Sequence, residues 1–435
     1  MNPSSLAGHA LELIEILRSD QRPADQIIDH FFRRRRYLGS HDRRELAETA
    51  YGILRNLRFL QTLVASVQPS AVDVPAWLFA AYKLRVEKQP QQAIESYNLT
   101  VPHADLARLA TLDAAALTGA EVGVRLSFPD WFVAALRRQM VEAEAVRLLE
   151  ALNQPPPLSI RVNTLQATRE QCRRELQDSG LESHPTKYSP DGLVLANRSN
   201  LFGLEIFREG WFELQDEGSQ LISLLVDPKP TWRVADVCAG GGGKSLHLAA
   251  LMRNRGEVFS FDLILRRLEN LQKRARRSGI HNIRTQVLKE GEVPTRHMGQ
   301  MDAVLVDAPC SGTGVLRRNP DAKWKISPAQ VQEMAVKQKA ILDCYAPLLK
   351  PGGRLVYATC SLLAEENEEV VEAFLASHPD FQRAGAGDIL QRYGLAQLAS
   401  GSEMRLFPHV HGCDGFFAAL LERMPASTAA TNEAK

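Results

Sequence analysis

Long apolar runs are missing from this chain. No stretch of its 435 residues approaches the roughly 20 consecutive apolar residues that a helix needs to cross a bilayer, so a bundle of membrane-spanning helices is excluded. The opening MNPSSLAGHALELIEILRSD lacks a basic start followed by an apolar core, so no secretory leader is expected; its apolar residues recur at helical spacing instead. Paired cysteines are missing as well. Cys172, Cys238, Cys310, Cys344, Cys360 and Cys413 include no C-x-x-C pair, which argues against a zinc site or other metal centre. A long chain without a leader is not expected to carry disulfides either, and free thiols in a cytoplasmic protein are the expectation. Charge of one sign is not in excess: 52 Lys and Arg against 51 Asp and Glu leave a net charge of +1, so the overall balance names no partner.

What is present is local. Basic residues cluster at Arg33 to Arg36, at Arg43 and Arg44, from Arg266 to Arg277, and at Arg317 and Arg318. Such clusters can track a phosphate backbone, although any one alone reads more readily as a solvated helix face. Roughly the first 145 residues carry apolar positions at helical spacing: Ala7 to Leu17, Pro23 to Phe32, Arg44 to Leu63 and Val74 to Val86, with a weaker pattern from Gln89 to Gly123. The NQPPPL segment, Asn153 to Leu158, is a stiff break and a linker candidate. Beyond it the period changes. Leu158 to Val162 and Gly192 to Leu195 read as strands, with an amphipathic helix at Gln166 to Ser179 between them, a small α/β module.

From Pro230 the chain alternates strand and helix. Arg233 to Cys238, Glu257 to Asp262, Met301 to Asp307 and Arg354 to Cys360 suit buried parallel strands, and Lys244 to Arg253, Leu263 to Ser278 and Ala329 to Leu349 suit the helices between them. This alternation predicts a doubly wound α/β sheet, in which ligands sit beyond the carboxyl ends of the strands. Each predicted strand ends there in an acid or a cysteine: Cys238, Asp262, Asp307 and Cys360. The closing PASTAATNEAK reads as a disordered tail, 425–435.

The first of these strands runs into Cys238-Ala239-Gly240-Gly241-Gly242-Gly243-Lys244. A P-loop would need glycine where Cys238 stands, and the dinucleotide fingerprint would need glycine or alanine where Ser245 or Leu246 stands, so both fail. A glycine turn followed by Asp262 at the end of the next strand fits a nucleoside-bearing cofactor such as S-adenosyl-methionine, with the carboxylate on the ribose diol. Cys310, in Asp307-Ala308-Pro309-Cys310-Ser311-Gly312, and Cys360, in Thr359-Cys360-Ser361, stand at strand ends close to a helix start, a setting expected to lower a thiol pKa. Cys172, Cys344 and Cys413 read as small buried apolar residues. Thiols of this kind suit methylation of a pyrimidine at C5. A thiolate adding to C6 makes C5 nucleophilic, an acid near N3, Asp307 or a group it orients, helps neutralise the developing charge, and the base must be unstacked to be reached.

DAPCSGTG with a later TCS, behind a C-A-x-x-G-G-K loop, resembles the Sun (Fmu-type) RNA cytosine-5 methyltransferases. LSIRVNT at 158–164, FREGWFELQDEGSQ at 207–220, RRNPDAKW at 317–324, KPGGRLVYATCS at 350–361 and HGCDGFF at 411–417 are similar to segments of that family. The N-terminal helices resemble the NusB-like RNA-binding domain of its bacterial 16S ribosomal RNA branch, most clearly around Asp42-Arg43-Arg44 and Tyr51 to Arg55. The resemblance implies a helical NusB-like domain at 1–145, a small RRM-like α/β module at 150–212 and a Rossmann-like class I methyltransferase domain at 213–424.

It further implies Cys360 as the nucleophile on C6 and Cys310 as the residue assisting breakdown of the adduct. Cys238 to Lys244, Asp262 and Asp307 would hold S-adenosyl-methionine. The implied substrate is RNA, foremost 16S ribosomal RNA, and the implied protein is a cytoplasmic monomer. Two positions depart from the family pattern. Gly240-Gly241 replace its alanine-proline, and the acid on the adenine side falls at Glu292 or, in another register, at Glu290. The same chemistry on transfer RNA or large-subunit RNA, and a non-catalytic ribosome-assembly protein with a decayed loop, are the competing expectations.

Overall fold

The computed structural model describes residues 1–113, 115, 121–197 and 199–425. The expected tail falls almost wholly outside them. The chain divides into two compact units, Met1–Pro155 with Val315–Ser327, and Pro156–Gly314 with Pro328–Lys435.

The first unit is helical. Pro3–Ser19 starts at Asn2, whose side chain accepts from the Ser5 N–H, with proline in the first turn where no N–H is needed. Ala24–Arg34, Ser40–Arg55, Leu57–Val67 and Pro75–Arg85 follow, the last buried on every face from Ala76 to Leu84 and so forming the centre of the unit. The single helix expected from Arg44 to Leu63 is two helices. Asn56, at φ −110° and ψ 15°, breaks it, and its side-chain amide donates to Gly52 O at 2.9 Å. Helices continue to Leu152. The RRNPDAKW segment also belongs to this unit. Trp324 donates its indole N–H to Leu54 O at 2.7 Å, and the Lys323 ammonium, 2% exposed, donates to Arg55 O at 3.0 Å, to Ser127 O at 3.3 Å and to Asn153.

The second unit holds two sheets. The smaller is antiparallel in the order β2-β3-β1-β4, from β1 (Leu158–Val162), β2 (Ser183–Pro185), β3 (Gly192–Leu195) and β4 (Phe212–Leu214). Its helix Arg169–Asp178 opens with a capping box between Thr168 and Gln171.

The larger sheet has a parallel centre. β5 (Arg233–Asp236), β6 (Glu257–Asp262), β7 (Ile283–Val287), β8 (Met301–Asp307) and β9 (Leu349–Thr359) lie in the order β9-β8-β5-β6-β7. Both faces are covered, so Val304, Leu305 and Val306 are all fully buried and the strand reads as an unbroken apolar run. The chain runs outward from β5 on one side and resumes at β8 on the other, which puts the switch point between those two strands. β10 (Phe381–Arg383), β11 (Ala399–Ser400), β12 (Glu403–Leu406) and β13 (Phe416–Arg423) extend the sheet antiparallel beyond β9. β6 and β8 have the bounds expected from the sequence. The sequence pattern does not predict β7 or the antiparallel extension.

Candidate active site

Strands β8 and β9 are parallel neighbours, with Asp307 opposite Ala358. The turns beyond them therefore leave the sheet side by side, and Cys310 Sγ lies 3.4 Å from Cys360 Sγ. The two turns are stitched together through the backbone. Gly314 N–H donates to Cys360 O at 2.8 Å, and Gly415 N–H donates to Gly314 O at 2.9 Å. A Cβ on Gly314 would stand 2.2 Å from Gly415 O, so only glycine fits there.

The expected lowering of both thiol pKa values does not describe Cys310. Its thiol is pushed well above the ordinary range by the hydrogen bond it shares with Cys360 and by burial. The turns after the cysteines are single 3-10 turns, Thr313–Val315 and Ala364–Glu366, rather than long helices with a strong dipole. Cys310 therefore keeps its proton at neutral pH, which suits a proton-transfer partner.

Asp307 receives the Lys244 ammonium at 2.6 Å. Burial opposes the Lys244 charge, but Asp307 outweighs it and the ammonium pKa stands above its usual value, with Cys360 adding to the effect. Lys244 thus supplies positive charge toward Asp307 and Cys360. Asp236, at the end of β5, is buried and accepts from Ser245 Oγ at 2.6 Å. Burial lifts its carboxyl to about 7.

A cavity of about 520 Å³ opens beyond β5, β6 and β8. Cys238, Asp262 and Asp307 stand on its wall, and Leu263, Ile264, Ile341 and Tyr345 make it largely apolar. Its size and lining suit a nucleoside-bearing cofactor: flat apolar walls for a base, a carboxylate at a strand end for a ribose. Asp262 is held by Gly240 N–H at 2.9 Å and Ile264 N–H at 2.8 Å, so its orientation is fixed.

Ala239, Gly240, Gly241 and Gly242 form the turn beside this cavity, and Gly243 and Lys244 open the helix Gly243–Leu251 that follows; none of the six lines the cavity. Of the two candidate acids for the adenine side, Glu290 lines the cavity wall and pairs with Lys337 at 2.7 Å. Glu292 turns away and caps the Lys289 N–H at 2.8 Å. Cys344, read from sequence as a buried apolar residue, is half-buried and lines the cavity, with its thiol pushed up by burial.

How the glycine turn is held is not legible from the turn's own residues. Arg161 of β1, 2% exposed, donates to Gly243 O at 2.7 Å and to Gln215. Arg274 donates to Gly241 O and pairs with Glu213 at 3.0 Å, and Arg277 pairs with the same carboxylate. The signal lay in LSIRVNT and FREGWFELQDEGSQ, which contain Arg161, Glu213 and Gln215. Gly242, at φ +85°, packs so closely that a Cβ would stand 2.1 Å from Leu271 Cδ1.

The family model of the 16S rRNA methyltransferase RsmB/F matches residues 223–422, and that of the RsmF/B-like ferredoxin-like domain matches 128–201. A probable ribosomal RNA small subunit methyltransferase B of Synechocystis sp. is 34% identical over 69% of this chain and 68% of its own length. A relative of the same name in Bacillus subtilis is 29% identical over 96% of this chain and 98% of its own. The solved structure of PH0851 superposes with a TM-score of 0.77 at 26% identity, covering 97% of this chain and 99% of that one. The chain belongs to the 16S rRNA methyltransferase RsmB/F family.

Proposed function

We propose that this chain transfers a methyl group from S-adenosyl-methionine to C5 of a cytosine in 16S ribosomal RNA, in the cytoplasm, through a covalent bond between Cys360 and C6. The observation that carries the reading is the 3.4 Å approach of the Cys310 and Cys360 sulfurs at the ends of adjacent strands. Asp262 and the cavity walls would hold S-adenosyl-methionine, which would supply an electrophilic methyl group.

The chain's own groups do the rest. Cys360, beside the Lys244 charge, adds to C6 of the unstacked base and makes C5 nucleophilic. Asp307, oriented by Lys244, would accept hydrogen bonds from the exocyclic amine and from N3 as N3 takes up a proton from water, and the Lys244 ammonium offsets the negative charge that develops on the ring. After C5 has taken the methyl group, water takes the C5 proton, the C5–C6 double bond re-forms and the Cys360–C6 bond breaks, returning the thiolate. Cys310, protonated and in contact with Cys360, donates its S–H to the departing sulfur and so assists that release.

Two variants test the roles. Cys360→Ala is expected to abolish methyl transfer. Cys310→Ala is expected to accumulate a protein–RNA adduct that survives denaturing electrophoresis. A fully active Cys360→Ala would reject the assignment. The names of the relatives support small-subunit ribosomal RNA as substrate. Bisulfite mapping in cells lacking the protein is expected to lose a 5-methylcytosine from 16S ribosomal RNA; a loss from transfer RNA or large-subunit RNA would redirect the reading. Absence of S-adenosyl-methionine binding by calorimetry would favour a non-catalytic assembly protein.

A further inference from the structure

A fully buried carboxylate sits between the two cysteine turns. Glu366 is 0% exposed, and four donors reach it. Oε1 accepts from Ser311 N–H at 2.7 Å and from the Gln338 amide at 3.1 Å. Oε2 accepts from the Ser311 and Ser361 hydroxyls. Ser311 follows Cys310 and Ser361 follows Cys360, so one carboxylate holds the residue after each thiol. Gln338 also donates to Pro309 O at 2.9 Å, which ties in the residue before Cys310. The backbone of Glu366 is itself fixed, since Tyr357 of β9 donates its hydroxyl to Glu366 O at 2.6 Å. Burying a charge is costly unless it is well hydrogen-bonded, so an apolar side chain would fill this core space more cheaply. The arrangement is explained by what it joins.

We propose that Glu366 is the positioning residue of the two-cysteine centre: its carboxylate, shared between Ser311 and Ser361, locks the turn of Cys310 to the turn of Cys360 and keeps the sulfurs in contact. The inference rests on the two-thiol reading given above. Glu366 touches neither sulfur through a hydrogen bond and acts through the two serines. Its negative charge also favours the protonated form of Cys310.

The test uses the full chain and a readout that needs no RNA. Diamide, an oxidant, joins neighbouring thiols, and the rate of Cys310–Cys360 disulfide formation, followed by mass spectrometry, reports their approach. Glu366→Gln keeps the frame, because the amide oxygen takes the Ser311 N–H and the Gln338 amide while its NH2 donates to the two hydroxyls. Glu366→Ala removes it. Glu366→Gln is expected to close the disulfide within about threefold of the parent rate, and Glu366→Ala about tenfold or more slower, with kcat for methyl transfer down about 100-fold and KM for S-adenosyl-methionine little changed.

Glu366→Gln is also expected to move Cys310 alkylation by iodoacetamide to lower pH, a shift that a purely structural role would not produce. Parent rates of both disulfide closure and methyl transfer in Glu366→Ala would overturn the proposal. Should that variant fail to fold, Ser361→Ala, which removes one donor, is expected to slow closure several-fold, and a parent rate there would overturn it equally. Loss of the methyl-transfer reading itself would appear instead as an active Cys360→Ala, leaving the disulfide rates as an independent measure.

Discussion

Single side chains in this molecule are set by what surrounds them rather than by their type. Asp236 and Asp262 end neighbouring strands, and both are nearly inaccessible to water. Asp262 is met by two backbone N–H groups, whereas one oxygen of Asp236 has Ser245 as its donor and the other is buried without a hydrogen bond. Burial therefore lifts Asp236 to about 7, against about 3.9 in an unfolded chain. The folded state holds a proton that the unfolded state has lost, so this group's contribution to stability is intact below about pH 4, declines as pH rises towards 7, and is level beyond. Asp236→Asn removes that dependence. In denaturant titrations from pH 4 to 8, the stability of Asp236→Asn relative to the parent is expected to rise with pH by roughly 4 kcal/mol, given about 1.4 kcal/mol for each pKa unit. A difference that stays constant with pH would contradict a buried, protonated Asp236.

At the scale of elements, the helix Leu265–Arg277 has a different use from the one its composition suggests. Its run of basic residues reads as a face for RNA phosphates. Arg274 and Arg277 are turned inward onto Glu213, and Arg274 reaches Gly241 O, while Arg266, Lys273 and Arg276 are exposed. Phosphate contact remains open only to the exposed set. Two arginines explain how a turn of four glycines, without the family's proline, keeps one shape: the restraint comes from Arg161 on β1 and from the inward Arg274 on the helix. Arg274→Ala is expected to weaken S-adenosyl-methionine binding about tenfold, the worth of one charged hydrogen bond, while Arg276→Ala leaves it unchanged. Calorimetry decides it, and equal affinities for the two variants would remove Arg274 from the support of the turn.

At the scale of the whole molecule, each of the two units has its own apolar core, one centred on Pro75–Arg85 and the other on the parallel strands. Two cores predict two transitions in a calorimetric scan rather than one. S-adenosyl-methionine at about 100 times its Kd is expected to stabilise the unit that contains the cavity by about 2.7 kcal/mol and to leave the helical transition in place. One transition moving as a whole would show that the units unfold together.

Much of this organisation was legible beforehand. Apolar runs ending in Asp262, Asp307 and Cys360 marked strands β6, β8 and β9, because a strand covered on both faces has little room for polar residues. β7 was not legible: Ile283-Arg284-Thr285-Gln286-Val287 is only partly covered and carries no such run. Nor was the membership of Val315–Ser327 in the helical unit, since no local pattern encodes which core a distant segment joins.

The sequence by itself determined the chemistry on offer, two thiols, the acids at the strand ends and a glycine turn, because residue type and motif spacing are local properties of the chain. Only the tertiary structure decided that Cys310 and Cys360, 50 residues apart, touch, that Cys310 keeps its proton, that Glu290 rather than Glu292 faces the cavity, and that Glu366 joins the two turns. Those outcomes depend on which strands become neighbours and which groups lose their water, and both are fixed only when the chain is packed.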